Sequence, residues 1–235
     1  MADDYLGDLN KTQLIYELFE TPHDARDADW IARFFENVAD ASFCDTVPQV
    51  IQGPDGFPYF VLNLPEAGKP FQCFVLRHLK DCLLKEGVGV VIEPAQGNPQ
   101  WVFSYGDIVE FHLKGNFELP GNSGAAPEGH STEIVQEAEE VLVAQPSESF
   151  LPSAARQVLR QFLVAQGLPD PRILLMSRPK RGSVVQELVF ALDRDKIGGE
   201  AAIRGLLQAI SWFLPREYRF CAMKEESFAG SFAPL

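Results

Sequence analysis

An α+β fold in two domains is what this sequence predicts, and three observations carry the expectation. Short runs of β-branched and aromatic residues alternate along the chain with amphipathic stretches of helical period. Clusters of Gly, Pro, Asn and Asp punctuate the boundaries between them. After Asn116 the pattern stops: ELPGNSGAAPEGHSTEIVQEAEE is polar, rich in turn formers and without apolar period, as an exposed linker is. These place an N-terminal domain of helices packed on an antiparallel sheet at residues 1–118, a linker at 119–136 and a second α+β domain at 137–235.

In the first domain, Asn10 with Gln13 three residues on has the form of a helix N-cap and its reciprocal partner, and Leu14, Ile15, Leu18 and Phe19 recur at helical spacing. Asp27 caps the next helix, where Trp30, Ile31, Phe34, Phe35 and Val38 make one stripe. Such a stripe can dock a partner, but an amphipathic surface helix ordinarily faces its own core. Val47 to Gln52 and Phe57 to Leu64 read as strands about the turn Pro54-Asp55-Gly56. Phe74 to Glu86 reads as a helix with Cys82 on its buried stripe and Gly87 as its stop.

The most legible stretch is Gly87 to Leu113. A strand through Val90, Val91 and Ile92 reverses at Pro94, Gly97, Asn98 and Pro99. The returning strand carries Trp101, Phe103 and Tyr105 on one face, and Gly106-Asp107 reads as a bulge before Ile108, Val109 and Phe111 resume it. An aromatic face can be a ligand platform; core is the commoner use.

Beyond the linker, strands at Val141 to Gln145, Ile173 to Ser177, Val184 to Leu192 and Tyr218 to Met223 alternate with helices at Pro152 to Gln166 and Glu200 to Leu214. The order β-α-β-β-α-β is that of a ferredoxin-like split βαβ domain. The tail ESFAGSFAPL places two Phe among small residues, a pattern open to packing back on a groove or to staying loose. Helix-strand-strand-helix-strand recurs in both halves, with no shared residue motif.

VLVAQPSESFLPSAARQVLRQFL followed by RILLMSRPKRGSVVQELVFALD, within Glu140 to Asp193, resembles the C-terminal domain of the SseB (enhanced serine sensitivity) family. The likeness rests on a first strand ending in Gln145-Pro146, a Pro-started helix, a strand ending in Met176 and a strand ending in Leu192-Asp193. It implies a bacterial cytoplasmic protein of regulatory or binding role, and it brings no catalytic residues with it.

Composition narrows the function classes. A formal charge of −13, from 33 acids against 20 bases, opposes binding to nucleic-acid phosphates and anionic membranes. The acids in MADDYLGDLN do not fit a secretory leader, and four scattered cysteines without a Cys-x-x-Cys fit a reducing compartment, so the expected location is cytoplasmic. The common phosphate-loop, dinucleotide, zinc-protease and nucleophile-elbow motifs are missing from the sequence.

His78 and Cys82 share a helix face, and with Cys73 would make a thiol or metal site, but their spacing fits no zinc pattern. No cofactor and no metal is expected. The candidate binding surface comprises Asp55, Tyr105 and Asp107 at turns of the first domain, and Arg178, Lys180 and Arg181 in the basic turn of the second. The expected function is non-enzymatic: binding or regulation through a protein partner or self-association. The alternatives are an acidic secretion-chaperone-like protein and an enzyme of unknown type with an interdomain site near Tyr105, Asp107 and residues 54–57.

Overall fold

A computed structural model describes residues 6–44, 46–94, 98–118, 141–180, 183–193, 197–228 and 230–235. The expected linker at 119–136 lies outside them. The class is α+β, and the chain divides into two compact units, Met1–Asn122 and Ser123–Leu235.

The first unit opens with α1 (Leu9–Phe19) and α2 (Ala28–Val38). The cap of α1 is Asp8, not Asn10: its carboxylate accepts from the backbone N–H groups of Asn10 and Lys11. Asp27 caps α2 as expected, accepting from the Trp30 N–H at 2.9 Å. Short strands β1 (Phe43–Cys44) and β4 (Cys73–Phe74) pair antiparallel with each other. Between them run β2 (Val50–Gln52) and β3 (Pro58–Leu62). Helix α3 (Leu76–Glu86) follows, ending on Gly87 in the left-handed region.

With β5 (Gly89–Ile92) and β6 (Trp101–Phe103), the main sheet has the order β2-β3-β5-β6. It is mixed, not purely antiparallel as expected. Strands β3 and β5 run parallel because α3 carries the chain back across the sheet, as a parallel pair requires. The β5–β6 hairpin is antiparallel, with Val90 opposite Phe103 and Ile92 opposite Trp101.

Phe60, Leu62, Val90, Ile92, Trp101 and Phe103 share one face by register. They join a single apolar cluster with Ile15 and Leu18 of α1, Trp30, Phe34, Phe35 and Val38 of α2, and Leu76 and Leu83 of α3. All these helices therefore lie on that face, and both the α2 stripe and the Trp101 face are core. Trp30 adds a hydrogen bond from its indole N–H to the Leu18 carbonyl at 2.8 Å, which locks α2 onto α1.

The expected strand through Ile108 and Phe111 is a helix, α4 (Tyr105–Lys114). Ser104 and Asp107 form a capping box: the serine hydroxyl accepts from the Asp107 N–H at 3.2 Å, and the carboxylate accepts from the Ser104 N–H at 2.7 Å. Ile108 and Phe111 then fall three apart on the core side, and Gly115 closes the helix at φ 77°. Ser104→Ala is expected to cost about 1 kcal/mol in urea denaturation. A change below about 0.3 kcal/mol would show that packing alone holds this helix start.

The second unit contains β7 (Leu142–Ala144), α5 (Ser153–Ala165), β8 (Arg172–Lys180), β9 (Ser183–Ala191), α6 (Glu200–Ser211), β10 (Arg219–Met223) and β11 (Ala233–Pro234). The β-α-β-β-α-β order is as expected, but the pairing is not the ferredoxin-like split one. In a split βαβ the first strand lies inside the sheet. Here β7 lies outside β8 and antiparallel to it, and the order is β10-β9-β8 with β7 and β11 end to end along the free edge of β8. β9 and β10 are parallel and adjacent, joined by α6. The tail strand β11 pairs with Arg172 and Ile173 at the start of β8, ahead of the stretch Leu175 to Ser177 that β7 covers.

Leu174, Met176 and Val189 on one face of this sheet pack with Phe232, 4% exposed, and with Phe228. The tail phenylalanines thus do pack back. No residue of α5 or α6 belongs to that cluster, so the helices serve the opposite face, where Ile173, Leu175, Leu188 and Phe190 are buried. Both units share one pattern: a hairpin (β2–β3, β8–β9), then a helix (α3, α6), then a strand parallel to the hairpin's second strand (β5, β10).

Candidate functional site

The turn residues expected to form a surface in the first unit are occupied by the fold. Tyr105 is fully buried, donates its hydroxyl to the Leu84 carbonyl at 2.7 Å, and has its acidity suppressed by burial. Asp107 is 5% exposed and belongs to the α4 capping box. Neither can sit on an accessible surface, which corrects the expectation, and the physical reason is that Gly106-Asp107 opens a helix instead of interrupting a strand.

Asp55 remains exposed, but its carboxylate works locally: it accepts from the Phe57 N–H at 3.1 Å and from the Tyr59 hydroxyl at 2.5 Å. That bond holds the Tyr59 ring across Gly89, where an added Cβ would lie 2.9 Å from the ring and 2.5 Å from the Phe103 carbonyl oxygen. Glycine at 89 is what lets the ring and β6 approach β5 so closely.

The His78, Cys82 and Cys73 grouping does not form. Cys82 is exposed, whereas α3 buries Leu76, Leu83 and Leu84, so the helix is rotated relative to the predicted stripe. Cys73 lies on β4 and pairs across strands with Cys44. Among the described residues no group of three or more His, Cys, Asp or Glu could hold a metal ion.

In the second unit, Arg178 lies within β8 and not in the expected basic turn. Its guanidinium lies 3.6 Å from the Glu187 carboxylate, with side chains 13% and 15% exposed. By register Arg178 shares a face with Met176, Glu187 and Cys221. Burial and the neighbouring Glu187 push the Cys221 thiol up to about 12, against the pull of Arg178, so this cysteine is no nucleophile at neutral pH. Lys180 ends β8 opposite Ser183; Arg181 lies outside the described residues.

This hairpin exposes one large apolar side chain among its described residues. β8 and β9 are nine residues each, and Val184 near their turn is 70% exposed. On the neighbouring β7 all three residues are exposed, Leu142 at 77%. Leu142 opposes Ser177, and Ser177 opposes Gln186, which places Leu142 and Val184 on one face of the sheet. β7 has no strand partner on its outer side among the described residues. An edge with free backbone groups beside exposed apolar side chains is the surface a second strand or an apolar partner fits.

Leu142 and Val184 carry no signal in the sequence beyond their place in strands, since alternation within a strand does not tell how far helices extend along its sheet.

A pocket of about 410 Å³ lies between the end of α5 and α6, near Gly167, Leu168, Leu206 and Ala209. None of its eight lining residues is ionisable, so it offers no acid, base or nucleophile. No described helix is long and apolar enough to cross a membrane.

Comparison of the chain with protein-family models, curated proteins and solved structures found no match.

Proposed function

We propose that this protein is a non-enzymatic binding or regulatory protein that acts through protein–protein contacts, with the β7 edge and the β8–β9 hairpin as its contact surface. The observation that carries the reading is the exposure of Leu142 and Val184 on one face of the sheet, beside an outer strand with no neighbour among the described residues. Exposing such residues gives up burial worth about 1.5–3 kcal/mol for each large aliphatic side chain, which a partner can recover. The resemblance of Glu140 to Asp193 to the SseB family supports a regulatory or binding role in a bacterial cytoplasm.

A photo-crosslinking amino acid at Leu142, with one at Gln208 on α6 as a control, tests the reading in source cells. The expected result is a discrete adduct at 142, absent at 208 and abolished by Val184→Asp. A self-adduct, matched by a dimer mass in light scattering, identifies a second copy as the partner. No adduct at 142 together with a monomeric mass would overturn the proposal.

A further inference from the structure

We propose that Cys44 and Cys73 are a reversible disulfide site, closed by thiol–disulfide exchange with a low-molecular-weight disulfide of the glutathione class. The two residues are register partners in the antiparallel β1–β4 pair. Directly opposed residues of such a pair project side chains to the same face.

Which kind of pair they form follows from the backbone. The Cys44 N–H donates to the Asn63 carbonyl at 2.8 Å, and the Cys44 carbonyl accepts from the Asn63 N–H at 2.9 Å. Both polar groups of a strand residue point to the same edge, so those of Cys44 are turned away from β4. Cys44 and Cys73 are therefore the non-hydrogen-bonded pair of this short ladder, and Phe43 with Phe74 is the hydrogen-bonded one. In a non-hydrogen-bonded pair the Cα atoms approach to about 4.5 Å, inside the range of about 4.4–6.8 Å that a disulfide spans.

Both cysteines are reduced thiols of intermediate exposure, within reach of a small disulfide. The Cys44 thiol donates weakly to the carbonyls of Asn63 and Leu64 at 3.4 and 3.7 Å.

The exchange balances in two steps. One cysteine thiolate attacks a sulfur of glutathione disulfide; a mixed disulfide forms and one glutathione thiolate leaves. The second cysteine thiolate then attacks the protein sulfur of the mixed disulfide, forming the Sγ–Sγ bond and expelling the second glutathione. The protein loses two protons and two electrons, and one glutathione disulfide becomes two glutathione thiols. Excess reduced glutathione reverses it. The new bond would tie β1, already joined to Asn63 beyond β3, to β4 at the entry of α3, clamping three segments together.

The full chain incubated in glutathione buffers of increasing oxidised fraction, acid-quenched, alkylated and mapped by mass spectrometry, tests this. Cys44 and Cys73 are expected to lose alkylation together, as one peptide pair with no retained glutathione, and dithiothreitol restores both. Cys82, exposed on α3, is the control that retains a glutathione adduct, and Cys221, whose thiol burial holds protonated, the control that stays alkylatable. In Cys73→Ser the expected product is a stable glutathione adduct on Cys44. If the unmodified sequence itself retains glutathione on Cys44 or Cys73, or keeps both alkylatable in fully oxidised buffer, the site does not exist. That mapping needs no variant to fold.

Discussion

Phe34→Ala is expected to destabilise the first unit by about 3–5 kcal/mol. Phe34 is completely buried and sits at the centre of the aromatic cluster, 5.2 Å from the Trp30 ring in a stacked arrangement, 4.8 Å from Trp101 and 6.1 Å from Phe103. Those contacts join α2 to β6, so a cavity there loosens the helix layer from the sheet. A domain is stable by only about 5–15 kcal/mol, which makes this loss a large fraction of the total. Phe34→Leu keeps much of the volume and is expected to cost about 1–1.5 kcal/mol. Urea denaturation followed by tryptophan fluorescence separates the two, since Trp30 and Trp101 both touch the site. Equal losses for alanine and leucine would show that cavity volume is not what matters there.

Acid stability should be governed to a large extent by Asp40. Hydrogen bonds from Arg77 lead the causes that hold its carboxyl at about 2 against an ordinary 3.8; Lys11 adds to them, and partial burial opposes. Lys11 Nζ lies 2.6 Å from the carboxylate, and Arg77 also donates to the Gly115 carbonyl at 2.8 Å. One carboxylate thereby ties α1, the end of α2, the start of α3 and the end of α4. Because the folded-state value is depressed, the stabilisation is present above the unfolded value near 3.8 and is lost as pH falls through about 2. The shift corresponds to roughly 2 kcal/mol. Asp40→Asn is expected to lose about 1–3 kcal/mol at neutral pH and to flatten the stability profile between pH 4 and 2. Denaturation midpoints over that window check it; an unchanged acid slope in the variant would assign the acid sensitivity to other carboxylates.

Much of the element content was legible because it is local. The Trp30, Phe34, Phe35 and Val38 stripe, the Asp27 cap and the Gly87 stop all stand where periodicity and capping rules place them. Around Ser104 two local signals competed. Ile108 and Val109 favour strands, and Ser104-x-x-Asp107 favours a helix start; the capping box won because its bonds satisfy helix N–H groups that would otherwise lack partners. Following the β-branched signal placed Tyr105 and Asp107 on a surface they do not occupy. Arg178 was misread for another reason: its partner Glu187 is on the adjacent strand, and pairing across a hairpin depends on register that charge counting does not contain.

By itself, then, the sequence determined the α+β class, the number and order of the second unit's main elements, and the core role of the Trp101 face. Those follow from turn chemistry and from the periods of 2 and 3.6, which act between residues near in the chain. Tertiary structure alone decided that β7 lies outside β8, that the tail pairs with the start of that same edge, that Leu142 and Val184 are left exposed, and that Cys44 meets Cys73. Each of these depends on which strand edges meet, a choice made by competing long-range burials that leave no periodic trace in the chain.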